Sequence, residues 1–247
     1  MEIIKLTDKN IHEEHICCAI SDKKSSEGYQ MKKEWLKTEF NNGYTFKKFD
    51  TRGKVFIEYT PIENSWLPIL GNNYMVINCF WVAGQFKGKG YGKKLLQQCL
   101  KDAKKMDGII AVSSDKKRPF MSDPKFLKHN GFTIIDEAPP FFKLWALVTN
   151  SSSTLPKFKE TAKKGSCKNK TGITAYYSNT CPFTEFYTNQ LLRAYAKSKN
   201  VPIEIYPIKS RKDGQEMPIP WIINSVFYKG KLVTLEMKAE KILDELI

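Results

Sequence analysis

The sequence contains no run of about 18 apolar residues, so it offers no segment able to cross a bilayer as a helix. Its first ten residues, "MEIIKLTDKN", lack the basic-then-apolar order of a secretory signal, and the expectation is a cytoplasmic protein with no membrane partner. Histidine is scarce: three in 247 residues are too few for a histidine-built metal centre. The six cysteines show no CxxC pair, which argues against both a disulfide scaffold and a zinc ribbon and predicts free thiols. No internal repeat is present either. What remains suits packed globular structure, with 41% hydrophobic and 13% aromatic residues in a chain long enough for one large domain or two small ones.

The net charge is +14 and is not concentrated in one module. Residues 1–150 carry 24 Lys/Arg against 17 Asp/Glu, and residues 151–247 carry 16 against 9, so each part has a balance of +7. Such a surface favours acidic partners, and a nucleic-acid-binding module is one reading. The lysines are scattered singly and in pairs on faces that look solvated, which speaks against it.

Along the chain, Ile3–Leu6 reads as a strand, and Asn10–Ala19 and Gln30–Phe40 read as helices. Tyr44–Phe49 and Lys54–Tyr59 flank the turn sequence "DTRG" and predict a hairpin. "YMVINCFWV", Tyr74–Val82, is an apolar strand suited to burial on both faces. After it comes "GQFKGKGYGKKLLQQCL", Gly84–Leu100, four glycines and four lysines in eleven positions and then a helical stripe of Leu95, Leu96, Cys99, Leu100 and Ala103. The strand "GIIAVSS" follows, then a short helix entered at "SDP" with Pro124 preset for its first turn. "FTIID" and "FFKLWALV" read as closing strands. Residues 150–171, rich in Ser, Thr, Lys and Gly, read as a linker between residues 1–149 and 172–247.

The glycine segment carries the chemistry. The first amides of a helix have no internal acceptor, and its dipole favours negative charge there. Glycines at 88, 90 and 92 let a phosphate approach the backbone without Cβ collisions. A Walker loop, GxxxxGK[ST], fits no register here, and the spacing G-x-G-x-G departs from the dinucleotide fingerprint. Gln85-x-x-Gly88-x-Gly90, between the fourth strand and third helix of a β-α-α-β-β-β-α-β-α-β-β order, resembles the acyl-CoA loop of GNAT acetyltransferases. "KHNGF", residues 128–132, is similar to a late element of the same family.

The resemblance implies a mixed α/β (α+β) sheet of the acyl-CoA N-acyltransferase fold, with acetyl-CoA as co-substrate and a small-molecule or peptide amine as acceptor. It implies that Gln85, Phe86, Lys87, Gly88, Lys89, Gly90, Tyr91 and Gly92 hold the pyrophosphate, and that Phe80, Trp81 and Val82 pair with the pantetheine arm. An amine then attacks the acetyl carbonyl directly, which needs a base, a general acid and a backbone N–H aimed at the developing oxyanion. The tyrosine that often serves as acid in this family is replaced by Leu127. Glu58 and Glu63 are candidates for the base, although ordinary strand-edge carboxylates would look the same. Cys79 lies in the strand bordering the acyl group, where a small buried hydrophobe is the alternative to a nucleophile.

Residues 172–247 read as β-α-β-β-β-α, with Cys181 at a strand-to-helix turn and "IPW" ahead of a strand. This order resembles thioredoxin and glutaredoxin folds, and the whole chain is similar to GNAT proteins with a YoaP-like C-terminal domain. The resemblance matches Pro220 to a cis-proline and Cys181 to a reactive thiol with a lowered pKa. "CPFT" at 181–184 lacks the second cysteine of a dithiol pair. Docking or substrate presentation is one role for this domain; mixed-disulfide chemistry at Cys181, with the first domain as a CoA-binding regulator, is the other.

Overall fold

The structure, a computed structural model, describes residues 1–247. In the first part of the chain the elements are β1 (Ile3–Lys5), α1 (Ser26–Phe40), β2 (Thr45–Phe49), β3 (Val55–Pro61), β4 (Ile69–Leu70) and β5 (Tyr74–Val82). They are followed by α2 (Tyr91–Asp102), β6 (Gly108–Ser113), α3 (Pro124–His129), β7 (Thr133–Ala138) and β8 (Phe142–Val148). Seven strands form one sheet in the order β1-β2-β3-β5-β6-β8-β7. All neighbours run antiparallel except β5 and β6.

That one parallel pair shapes the molecule. It pairs only Tyr74–Ile77 with Gly108–Ala111, while β5 continues to Val82. Beyond Ile77, β5 stays with β3 and β6 stays with β8, so the two central strands part. A bulge lies at the same level: Glu58 faces Cys79 but Tyr59 faces Ile77, which leaves Asn78 without a partner in β3.

The helices follow from their stripes and caps. Leu95, Leu96 and Cys99 of α2 are buried at helical spacing, as the sequence predicts. Asp123 caps α3 by accepting the Lys125 N–H at 2.9 Å, with Pro124 in the first turn. Residues 10–19, expected to be helical, form successive turns instead, with Cys17 and Ala19 in the left-handed region at φ 63° and 56°. Side chains take backbone N–H groups a helix would have used: the Tyr29 hydroxyl accepts the Ile16 N–H and the His15 ring accepts the Cys17 N–H, while that ring also reaches the Thr51 carbonyl at 2.9 Å. Ile11, Ile16 and Cys17 are thereby buried against Leu36, Phe46 and Phe56.

The segment expected to be an exposed connection is tied to the core. Within it β9 (Lys157–Phe158) pairs with β4, and a 3₁₀ turn spans Glu160–Lys163. Phe158 and Ala162 are fully buried. The remainder comprises β10 (Ile173–Tyr177), a π-helical stretch (Glu185–Leu191) running into α4 (Leu192–Ser198), β11 (Ile203–Pro207) and α5 (Arg211–Gln215). β12 (Asn224–Tyr228), β13 (Lys231–Thr234) and α6 (Glu240–Asp244) complete it. Its sheet has the order β11-β10-β12-β13, with β10 parallel to β11 and antiparallel to β12.

The two sheets share a core. One cluster joins Trp66, Leu67, Val76, Val112 and Phe142 to Met217, Ile219, Trp221, Phe227 and Leu235. Gly214 packs against the Trp66 backbone, and Gln215 donates to the Ser65 carbonyl at 2.9 Å. No helix is long and apolar enough to cross a membrane.

Candidate active site

The loop between β5 and α2 is bare and open. Gly88 and Gly90 sit at φ 73° and 77°, where side chains with a Cβ are strained. A Cβ built at Gly84, Gly88 or Gly90 meets nothing within 4 Å. These glycines therefore serve backbone geometry and approach from outside, since nothing packs on them. Gly92 differs: its added Cβ would lie 3.1 Å from the Phe126 ring and 3.4 Å from Phe80, so it lets α2 close on that aromatic pair. The first α2 hydrogen bond runs from Lys94 N–H to Gly90 C=O at 3.1 Å, which leaves the amides of Tyr91, Gly92 and Lys93 without an acceptor in the helix. Gln85, Lys87 and Lys89 are exposed around this turn, while Phe86 and Tyr91 pack on one another at 6.0 Å between ring centroids. Along β5, Trp81 is 43% exposed and Phe80 and Val82 are half-buried.

Where β5 and β6 part, a cavity of about 30 Å³ opens. Ile77, Asn78, Cys79 and Val112 border it from the two strands, and Glu58 and Thr60 from β3. Trp35 and Tyr44 form a further wall. Thr180, Trp221, Ile222 and Ile223, all from the C-terminal part, close the other side. Residues separated by up to 188 positions thus meet around one small space.

Glu58 is the charged group of this cavity, and it is fully buried. Its carboxylate accepts from Lys32 Nζ at 2.6 Å and from the Tyr44 hydroxyl at 2.7 Å. Burial works against the Lys32 charge, but the adjacent carboxylate outweighs it and the ammonium is held above its ordinary pKa. Burial, with Glu58 second, raises the Tyr44 hydroxyl well above its usual range. The same two causes, in the same order, push the Cys79 thiol well up. Cys79 therefore borders the cavity as a neutral thiol.

Glu63 stands elsewhere. It is exposed on a 3₁₀ turn and accepts the Asn73 N–H at 2.6 Å, bracing the turn before β5. Leu127 is a buried core residue of α3.

Cys181 departs from the expected reactive thiol. Burial first, and then the neighbouring Cys18, push it up to about 12. The turn sets its thiol among Cys18, Lys32 and Glu58, and enclosure outweighs any effect of the helix start. Pro220 is buried, and its peptide bond is not cis; the single cis bond in the chain is Pro139–Pro140.

The sequence reading missed Lys32, Tyr44, Trp35 and Trp221. A lysine in a helix reads as solvated by default, but Lys32 lies four residues from both Gly28 and Leu36, on the buried stripe of α1. That spacing was the available signal.

The acetyltransferase (GNAT) family profile matches residues 9–132, and the profile described as YoaP-like matches residues 202–245. A Bacillus subtilis (strain 168) protein described as "Uncharacterized N-acetyltransferase YoaP" is 42% identical over 249 residues, covering 98% of both chains. A GNAT-family acetyltransferase structure from Staphylococcus aureus Mu50 covers 60% of this chain and 98% of its own, at 20% identity and a TM-score of 0.41. The PaiA N-acetyltransferase from Thermoplasma acidophilum, solved in complex with coenzyme A, covers 64% and 100%, at 18% identity and a TM-score of 0.40. With the match over nearly its full length, the chain belongs to the GNAT acetyltransferase family and is an acyltransferase that uses acetyl-CoA as co-substrate.

Proposed function

We propose that the protein transfers the acetyl group of acetyl-CoA to the nitrogen of a small amine by direct attack in a ternary complex. The observation that carries this reading is the position of the Glu58 cavity, at the level where β5 and β6 separate. The open turn fits a diphosphate: the Tyr91, Gly92 and Lys93 amides face no acceptor in the helix, and no side chain stands over Gly88 or Gly90. Lys87, Lys89, Lys93 and Lys94 add positive charge around it. The unpaired flank of β5 beyond Ile77 offers main-chain groups to an extended arm, and the cavity lies at its inner end.

In this reading Glu58 receives the proton released by the acceptor ammonium, directly or through water. Lys32 and Tyr44 occupy part of its hydrogen-bonding capacity and leave lone pairs for an acceptor. Backbone N–H groups at the Asn78 bulge stabilise negative charge developing on the acyl oxygen. Glu63 and Cys79 take no part, the first by position and the second by protonation.

The C-terminal unit is thioredoxin-like in this account. Its order β11-β10-β12-β13, with one parallel pair spanned by a helix, supports that reading. Its role is to wall the acceptor cavity, since Thr180 and Trp221, neighbours of Cys181 and Pro220, line it. The raised Cys181 pKa and the absent second thiol weigh against a redox function. Calorimetric titration with acetyl-CoA, followed by a screen of amines for CoA release, tests the proposal. No binding of acetyl-CoA would end it.

A further inference from the structure

Residues 7–22, between β1 and α1, form no helix or strand, yet they cover the apolar face made by Leu36, Phe46 and Phe56. Ile11, Ile16 and Cys17 are fully buried there. A segment with no ladder of its own keeps its place through its ties to the rest of the protein. Several of those ties meet at His15. Its Nδ1 accepts the Cys17 N–H at 3.2 Å, which fixes a lone pair on that nitrogen. The neutral ring therefore carries its proton on Nε2 and donates to the Thr51 carbonyl at 2.9 Å. Lys48, 1% exposed, sets its Nζ 3.2 Å from the same Nε2 and pairs with Glu14 at 2.7 Å.

We propose that residues 7–22 are a pH-sensitive strap, latched while His15 is neutral and released when its ring takes a second proton. The neutral ring suits its neighbours and the charged one does not. A proton on Nδ1 faces the Cys17 N–H, two donors with no acceptor between them, and the ring's charge lies against the Lys48 ammonium. Cys17 and Ala19, at φ 63° and 56°, then lose a contact that holds a strained backbone. The charged and titratable groups around the ring are Glu14 in the strap, Lys48 in β2 and Asp50 just after it. From α1, Tyr29 and Lys33 hold the Ile16 N–H and the His12 carbonyl. Glu14 and Asp50 favour a charged ring, but Glu14 is taken up by Lys48; burial, and then Lys48, keep His15 below its ordinary 6.5. The released strap binds the proton at that ordinary value and the latched strap only at lower pH. Latching is therefore complete above pH 6.5 and is lost as pH falls through the latched value. Cys18, the next residue of the strap, lies within electrostatic reach of Lys32 and Glu58, so release also brings water toward that pair.

Hydrogen exchange of the full-length protein, read by mass spectrometry, tests this. For a peptide spanning Ile16–Ala19, the exchange rate divided by the intrinsic rate should rise about threefold to tenfold from pH 7.5 to pH 5.5. Tenfold is about the limit for a group that binds its proton only in the open form. A peptide covering Leu95–Leu100 of α2 should not follow, because the opening is local. His15→Asn offers the Cys17 N–H an amide oxygen and takes no proton, so the rise should vanish in that variant. If it does not fold, titration of the three histidine rings by NMR in the wild-type protein gives a second readout. The His15 ring should remain neutral, with its proton on Nε2, as pH falls through 6.5. A ratio that does not change with pH, a rise that survives in His15→Asn, or an equal rise in α2 would overturn the inference. So would a His15 ring that titrates at 6.5 or above.

Discussion

Lys32 Nζ lies 2.6 Å from Glu58 Oε1, with side-chain exposures of 2% and 0%, and this pair fastens the inner face of α1 to β3, which borders the cavity where β5 and β6 part. The two residues are 26 positions apart, and neither would be stable here alone. Lys32→Met leaves the Glu58 carboxylate buried without its counter-charge, a change that costs about 3–5 kcal/mol in comparable pairs. Urea unfolding should show that loss, and the double variant Lys32→Met/Glu58→Gln should recover a substantial part of it. A double variant no more stable than Lys32→Met would show that the pair is not coupled.

Glu58→Gln keeps the shape of the cavity and removes the base that the proposed mechanism requires. Its kcat should fall by about 100-fold or more, the usual contribution of a positioned base. The calorimetric affinity for acetyl-CoA should stay within about twofold, because Glu58 is remote from the glycine loop; a base lost from chemistry alone leaves binding intact. Glu63→Gln should change neither quantity, since its carboxylate only holds the Asn73 amide.

Gly90→Asp puts a Cβ in the left-handed region and a carboxylate beside the open amides of α2. Like charges at a phosphate site cost several kcal/mol, so acetyl-CoA affinity should drop by about 100-fold or more. Circular dichroism should remain native, because no protein atom lies within 4 Å of the added Cβ. Unchanged affinity would place the coenzyme elsewhere.

Alkaline pH should weaken the fold through its enclosed thiols. Cys181 titrates at about 12 in the folded protein against an ordinary 9.0, and Cys17 is shifted the same way by burial. The unfolded chain gives up these protons first, so the stability they contribute is whole below pH 9 and is lost as pH rises toward 12. The urea midpoint should decline from pH 8 to pH 10.5, and less steeply in Cys181→Ser. Alkylation of Cys181 by iodoacetamide should be slow at pH 8 in the native protein; rapid labelling there would contradict the enclosed position.

Some of this was legible beforehand and some was not, for identifiable reasons. The α2 stripe of Leu95, Leu96 and Cys99 and the Asp123–Pro124 start of α3 are local signals, and each formed where its spacing predicted. Residues 10–19 had a plausible helical pattern, yet the Tyr29 hydroxyl and the His15 ring captured the Ile16 and Cys17 amides, and the backbone bends through two left-handed residues. Cys181 looked activated because a helix follows it; the enclosure that raises its pKa comes from Cys18, Lys32 and Glu58, more than 120 residues away.

By itself, the sequence determined local elements such as α2 and α3, the bare glycine turn ahead of α2 and its charge, because periodicity, capping and backbone freedom act over a few neighbouring residues. The tertiary structure alone decided what lines the cavity. Trp35, Glu58, Thr60 and Trp221 share a cavity only because β5 and β6 part at Ile77 and the segments after β10 and ahead of β12 close the other side. Burial then turned a common lysine and a common glutamate into a charged pair, since removal from water gives each of them its weight.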